Sequence, residues 1–338
     1  MKVCFFVARD WNIVRSGFYY NDYRILKELG HDVVSANSFR SIPTNVDLIF
    51  AWWASSGFPA ILKAKLHNIP SVLVAAGFDV CSVPEIRDGF AYHPFHHRLA
   101  IRWALRNASK VLAVSKRVQK DVRSIAGVKS ELVYNCVDTT QFRPLHVEKE
   151  NIIITMGSHR NEKNNQLILN ALRVVRKSFP DVKFVFGGNY RDKRIFAPFK
   201  DQVVLPGFLN ERKKVQWFNK SKVYIQPSFF ESFGVGIAEA MACGLPVIVS
   251  KKGAITEIAG PKGIYVSTDD ANQLADRIIL LLKNRSIRET LGRYARKRIV
   301  DNFSFEARKQ KIQEVISQLV DWPAEYRKAI LGPWIDLK

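Results

Sequence analysis

A chain of 338 residues, 47% hydrophobic and 25% charged, has room for about two globular domains and lacks the bias of a disordered or fibrous protein. Its cysteines (Cys4, Cys81, Cys136 and Cys243) are scattered without CxxC spacing, which argues against a disulfide framework or a zinc site and fits reduced thiols in the cytoplasm. The net charge of +21 favours anionic partners such as nucleotides, acidic lipids or nucleic acid without choosing among them.

In chain order, buried strands alternate with helical patterns. Strands read at 2–8, 32–36, 47–52, 71–75, 110–114 and 131–134. Helices read at 18–29 (stopped by Gly30), 59–67, 94–107 and 116–125. The short apolar run at 2–8 reads as a first strand and not as a signal peptide. No apolar run approaches a membrane span. A polar stretch at 143–150 reads as a linker. The pattern then restarts with strands at 151–156, 182–186, 202–205, 222–226, 246–250 and 263–266. Helices read at 165–178, 210–218, 270–283, 287–302 and 305–320. A βαβ series of this kind implies parallel sheets. The expected fold class is α/β, with two doubly wound Rossmann-like domains facing a cleft. The expected boundaries are 1–145 for an N-terminal domain, 146–320 for a C-terminal domain, and 321–338 for a segment crossing back to the first.

The segment 227–250, PSFFESFGVGIAEAMACGLPVIVS, carries the most chemistry. Glu231 and Glu239 bracket a glycine-rich helix start, Ser232-Phe233-Gly234-Val235-Gly236. The first N–H groups of a helix have no intrahelical partner, and the peptide dipoles leave partial positive charge there. Gly234 and Gly236 allow close approach to that backbone, and Ser232 is the expected N-cap. Such an end holds a phosphate or diphosphate. Carboxylates accept from sugar hydroxyls, so acids on both sides of a diphosphate site suit a nucleotide-sugar.

Glu231-x7-Glu239 followed by Ala240-Met-Ala-Cys-Gly-Leu-Pro-Val247 resembles the signature of retaining family-4 glycosyltransferases of the GT-B fold. Further stretches are similar to the same family: Gly30-His-Asp-Val33, Val111-Leu-Ala-Val-Ser115, Asn135-Cys-Val-Asp138 with Phe142 and Pro144, and 304–309. The resemblance implies that Glu239 binds the nucleotide ribose and Glu231 contacts the transferred sugar. It also implies an arginine and a lysine in the first loop of the second domain, to stabilise charge on the departing diphosphate. That loop here is Gly157-Ser158-His159-Arg160-Asn161-Glu162-Lys163-Asn164. Lys163 matches the family lysine. Ser158 stands at the arginine position, so either Arg160 replaces that arginine or the loop is a polar one with two surface cations. The family's first-domain glycine loop is reduced to Arg15-Ser16-Gly17, with Gly17 the matching glycine. Ala76-Gly77-Phe78-Asp79 replaces a family histidine, and Asp79 either accepts from a sugar hydroxyl, assists the acceptor, or caps a turn.

The implied activity is metal-independent transfer of a hexose, with retention, from a UDP- or GDP-sugar to a glycan or lipid-linked acceptor. The donor is a substrate, and no cofactor or metal is expected. The rings of His93, His96 and His97 lack acidic neighbours at ligand spacing, and Asp269-Asp270 reads as a helix start. Arg98, Arg102 and Arg106 recur at i, i+4, i+8. They form either a solvated basic face or a dock for an anionic membrane, making the enzyme cytoplasmic or peripheral on the inner face of the cell membrane. The rival readings are a GT-B nucleotide-sugar epimerase and, from charge alone, a nucleic-acid-binding protein. No nucleic acid is expected as a partner, because RNP-type and zinc-finger motifs are missing.

Overall fold

The computed structural model describes residues 1–11, 18–157 and 160–320. The described residues divide into two compact units, 1–135 together with 305–320, and 136–304.

The first unit contains strands β1 (Lys2–Phe6), β2 (Asp32–Ala36), β3 (Leu48–Trp52), β4 (Ser71–Ala75), β5 (Ser82–Val83), β6 (Asp88–Gly89), β7 (Lys110–Ala113) and β8 (Glu131–Leu132). Six of these form a parallel sheet in the order β2-β1-β3-β4-β7-β8, and β5 and β6 make a small antiparallel pair. Every residue of β3 (LIFAW) and β4 (SVLVA) is buried, as expected of parallel strands covered on both faces. The helices are α1 (Tyr19–Glu28), α2 (Phe58–Leu66), α3 (Phe95–Asn107) and α4 (Lys116–Ala126). Ser115 caps α4, its hydroxyl accepting from the Val118 N–H at 3.2 Å, and Gly127 closes the helix at φ 70.

The basic face of α3 is partly used inside the unit. Arg102 Nε and Arg106 Nε donate to the carbonyls of Ile125 and Ala126, each at 3.0 Å. These lie at the C-terminal end of α4, where cations satisfy orphan carbonyls and the helix dipole. Trp103 packs on Phe58 at 5.3 Å between ring centroids, while Phe95 and Leu99 are exposed.

The second unit holds β9 (Ile152–Met156), β10 (Lys183–Gly187), β11 (Val203–Val204), β12 (Val223–Gln226), β13 (Val247–Val249) and β14 (Ile264–Tyr265). They form a parallel sheet in the order β11-β10-β9-β12-β13-β14. Its helices are α5 (Asn165–Ser178), α6 (Glu211–Lys220), α7 (Val235–Ala242), α8 (Ile255–Ala259), α9 (Ala271–Lys283) and α10 (Arg285–Asn302). Residues of α5 and α9, including Ile168, Leu172, Leu274 and Ile278, share one core with Phe184 and Ile225 of the sheet. Asp270 caps α9 by accepting from the Gln273 N–H at 2.8 Å, so the Asp269-Asp270 pair is a helix start. Five-residue α8 is too short to show a period in the sequence. Strand order reverses between β9 and β12. Ligands of doubly wound sheets sit beyond the carboxyl ends of the strands at such a reversal, and the two loops leaving there begin at Gly157 and Pro227.

The last described helix, α11 (Phe305–Val320), groups with the first unit, whereas the sequence reading counts it with the second. A buried ion pair and apolar packing tie it there, with Ile312, Val315 and Ile316 buried. Arg308 Nε and Nη2 donate to Asp22 Oδ1 and Oδ2 at 2.5 and 2.7 Å, with the two side chains 2% and 0% exposed. Arg308 Nη1 also donates to the carbonyls of Val133 and Tyr134. Residues 321–338, expected to cross back to the first domain, lie outside the described residues. Among the described residues no helix is long and apolar enough to cross a membrane.

Candidate active site

After β9 the chain makes a short 3-10 turn at Asn161–Lys163, and Asn164 ends it in the left-handed region at φ 55. Asn164 Nδ2 donates to the carbonyls of Pro227 (3.3 Å) and Thr268 (2.7 Å). The Phe229 N–H donates to the Glu162 carbonyl at 2.8 Å. These bonds join the loop after β9 to the loops after β12 and β14. They bring Lys163 Nζ to 2.7 Å from Glu231 Oε1, in a pair whose side chains are only 15% and 11% exposed.

Glu231 Oε1 also accepts from Gln226 Nε2 at 2.6 Å and Ser228 Oγ at 2.9 Å. Its Oε2 has no hydrogen-bond partner among the described residues. The Gln226 amide is held in turn, because its oxygen accepts from the Tyr224 hydroxyl. Tyr224 is fully buried, and burial, followed by the Glu231 charge, holds its hydroxyl well above the ordinary phenol range. Tyr224 is therefore a fixed donor to Gln226. The backbone of Glu231 rests on Gly253, whose φ is +63. A Cβ there would lie 2.2 Å from the Glu231 carbonyl oxygen, and the Ala254 N–H donates to that oxygen at 2.8 Å.

The helix start differs from the expected one. Gly234, at φ 94, is the N-cap of α7, with no side-chain cap. Ser232 lies two residues before it and does not cap. The left-handed backbone that Gly234 supplies delays the helix to Val235. Phe233 is buried against Phe303, 5.8 Å between centroids, so its ring belongs to the core and only its backbone is left for a ligand. Val235 and Gly236 are half-buried, and a Cβ on Gly236 would come 2.7 Å from the Tyr224 hydroxyl. One turn in, Glu239 is 6% exposed. Its Oε1 accepts from Lys214 Nζ of α6 at 2.5 Å, and its Oε2 has no partner among the described residues. Desolvation raises its pKa above the ordinary carboxylate value, with the Lys214 charge and hydrogen bond opposing. Each glutamate thus spends Oε1 on the protein.

The Gly157 N–H donates to the Gly187 carbonyl at 2.9 Å, and a Cβ there would meet the Tyr190 hydroxyl at 3.2 Å and Lys163 Cγ at 3.5 Å. Tyr190 is 8% exposed, and its hydroxyl has no hydrogen-bond partner among the described residues. Arg160 Nε pairs with the nearly buried Glu162 at 2.5 Å while its own side chain is 51% exposed. Asp79, in the first unit, is 2% exposed. Its Oδ2 accepts from the Ala54 N–H at 2.6 Å, and its Oδ1 from Gly77 at 2.8 Å and Ala76 at 3.3 Å. Burial raises its pKa against these backbone hydrogen bonds, and the turn-capping alternative describes these contacts. Ser158 and Gly17 lie outside the described residues. Sequence reasoning missed Gln226, Ser228, Lys214, Tyr190 and Gly253. A polar residue ending the buried strand VYIQ was the one available signal, for Gln226. Nothing local distinguishes Lys214 from the other cations of α6.

Two family models match the chain: Glycosyltransferase Family 4 over residues 5–141 and Glycosyl transferases group 1 over residues 137–298. An uncharacterised glycosyltransferase of Methanocaldococcus jannaschii is 26% identical over 292 residues, which are 82% of this chain and 76% of that protein. The sulfoquinovosyl transferase of Arabidopsis thaliana is 24% identical over 82% of this chain, which spans only 57% of that relative. Among solved structures, the Anabaena protein HepE in complex with UDP and glucose superposes with a TM-score of 0.74 at 18% identity. The match covers 94% of this chain and 100% of that one.

Proposed function

The chain belongs to the family-4 glycosyltransferases of the GT-B fold, and from that premise we propose that it transfers a hexose, with retention, from a nucleotide-diphosphate-sugar to a hydroxyl acceptor. One observation carries the reading. At the end of the second sheet two glutamates bracket a helix N-terminus, each held by a lysine through Oε1, with Oε2 left to accept from hydroxyls. In this reading Glu239 Oε2 takes the ribose, and Glu231 Oε2 takes a hydroxyl of the transferred sugar. The free N–H groups at Val235 and Gly236 and the ammonium of Lys163 hold the diphosphate. Backbone at Gly157 and Gly234 borders it, and the Tyr190 hydroxyl donates to it beside Gly157.

As the sugar–phosphate bond breaks, charge builds on the departing oxygen. A preorganised cation there favours the transition state over the bound donor. Lys163 and the helix end supply that charge from the protein, so the reaction is proposed to need neither metal nor cofactor. The departing phosphate oxygen would take the proton of the acceptor hydroxyl on the same face, which gives retention without a protein nucleophile. Arg160 and Gly17 are secondary candidates on the donor side. Asp79 acts by holding its own turn to the chain after β3 at Ala54.

HepE binds UDP and glucose, which makes UDP-glucose the first donor to try. The acceptor is proposed to be a glycan or a lipid-linked sugar, with the exposed Phe95 and Leu99 of α3 as a membrane-facing edge. A thermal-shift panel of UDP-, GDP- and ADP-sugars, followed by product analysis with the best donor, tests the reading. Stabilisation by one nucleotide class and an α-linked product from an α-linked donor are expected. An inverted product, a free epimer, or no stabilisation by any of them would defeat it.

A further inference from the structure

Within the second unit, away from the donor loops, α10 and the 144–149 stretch enclose a cavity of about 790 Å³, within the range of small-ligand pockets. Seven of its lining residues are Lys or Arg and two are Glu. One of those acids, Glu289, is already paired with Arg285 at 2.7 Å. The cavity reaches the C-terminal end of α7 at Cys243 and Gly244, about 12 Å along that helix from the N-terminus assigned to the donor.

Three of the seven cationic heads, Lys149, Arg288 and Arg296, are held by backbone carbonyls, while Lys222 donates to Asn151 and Lys297 pairs with Asp301. Arg288 Nη1 donates to the carbonyls of Leu281 and Leu282, while its Nε and Nη2 have no hydrogen-bond partner among the described residues. That leaves the flat Nε/Nη2 edge, the one that binds two phosphate oxygens at once. Lys149 Nζ donates to the carbonyls of Asn219 and Ser221, each at 2.9 Å, which leaves one of its three donors. The floor is rigid. Gly292 of α10 packs so closely on the chain after α7 that a Cβ would lie 2.2 Å from the Gly244 carbonyl oxygen.

We propose that this cavity is a second anion site, which takes the phosphate or diphosphate group of a small soluble molecule. The Nε/Nη2 edge of Arg288 grips the phosphoryl oxygens, and Lys149 and Arg293 close on them. Pro144, Leu145 and Pro246 form an apolar wall for the organic part of the ligand. Desolvation, with the Arg288 charge adding to it, pushes the Lys149 ammonium down to about 8. Desolvation, then Arg285, lowers Arg288. An anion between them relieves this mutual repulsion.

Calorimetric titration with inorganic pyrophosphate, at constant ionic strength, tests the site. The expected result is a saturable component that Arg288→Gln and Arg293→Glu each weaken about fivefold or more, and that persists within about twofold in Lys163→Ala, where the donor-site component is lost. Arg293 is exposed and donates to Thr290, so its variant keeps the fold where loss of the Arg288 contacts disturbs it. Melting temperatures report on both. No saturable heat up to about 1 mM pyrophosphate, or binding that Arg293→Glu leaves unchanged and Lys163→Ala abolishes, would overturn the proposal.

Discussion

Replacing Lys163 by alanine removes the cation that stands 2.7 Å from Glu231 and is only 15% exposed. Glu231 keeps its other two donors, Gln226 and Ser228, so its carboxylate stays near its place. The loss then falls on the departing diphosphate. Removing one preorganised donor to a developing oxyanion in a shielded site costs about 2.7–4 kcal/mol, or roughly 10²–10³ in kcat. A bound donor already carries diphosphate charge, so KM rises as well. The rise stays within about tenfold, because only the charge gained in the transition state separates kcat from binding. Lys163→Arg keeps the charge with a different shape and recovers part of the rate. Initial rates with the donor found by thermal shift, together with donor affinity from calorimetry, measure the split. A kcat for Lys163→Ala within about threefold of wild type, or a loss confined to KM, refutes a leaving-group role.

Three further variants follow from the same geometry. Glu239 accepts from ribose only as a carboxylate, and burial raises its pKa above the ordinary 4.5. Nucleotide affinity should therefore fall as pH drops through that raised value, and Glu239→Gln should bind weakly and show no such limb. A variant that retains the acid limb would assign it elsewhere. Tyr190→Phe keeps the ring against Phe186 and Phe196 and deletes a buried hydroxyl without a partner among the described residues. The melting temperature should hold or rise, and the donor Kd should increase about fivefold; an unchanged Kd removes Tyr190 from the site. Arg308→Met leaves Asp22 charged in a fully buried setting and should destabilise by about 3–5 kcal/mol in urea unfolding. Asp22→Leu added to it should recover most of that, and a single-variant loss below about 1 kcal/mol would show that the pair does not hold α11.

The parts of the fold that were legible in the sequence are those with local causes. β3 and β4 announce themselves as apolar runs because both faces are covered. α5, at 165–178, shows its 3.6-residue period because one stripe faces a sheet. The nearness of Glu231 and Glu239 to one helix start was legible because a strand, a glycine-rich turn and a helix follow one another closely in the chain, whereas Lys163 was singled out by the family resemblance alone. Ser232 was misread because hydroxyl side chains usually cap helices, whereas here Gly234 takes a left-handed backbone and starts the helix later. The three arginines of α3 read as one free face. Two of them instead serve the end of α4, some twenty residues on.

The sequence by itself determined the order of strands and helices, the two glutamates at a helix end, and the cation loop that precedes them, since each is encoded within a few residues. Tertiary structure alone decided which oxygen of each glutamate is spent. The partners Lys163 and Lys214 stand 68 and 25 positions from their glutamates, and a lysine's ionic partner leaves no trace in its neighbours. It also decided that α11 joins the first unit. A buried guanidinium requires a carboxylate and carbonyls wherever the fold supplies them, and for Arg308 those are Asp22, Val133 and Tyr134.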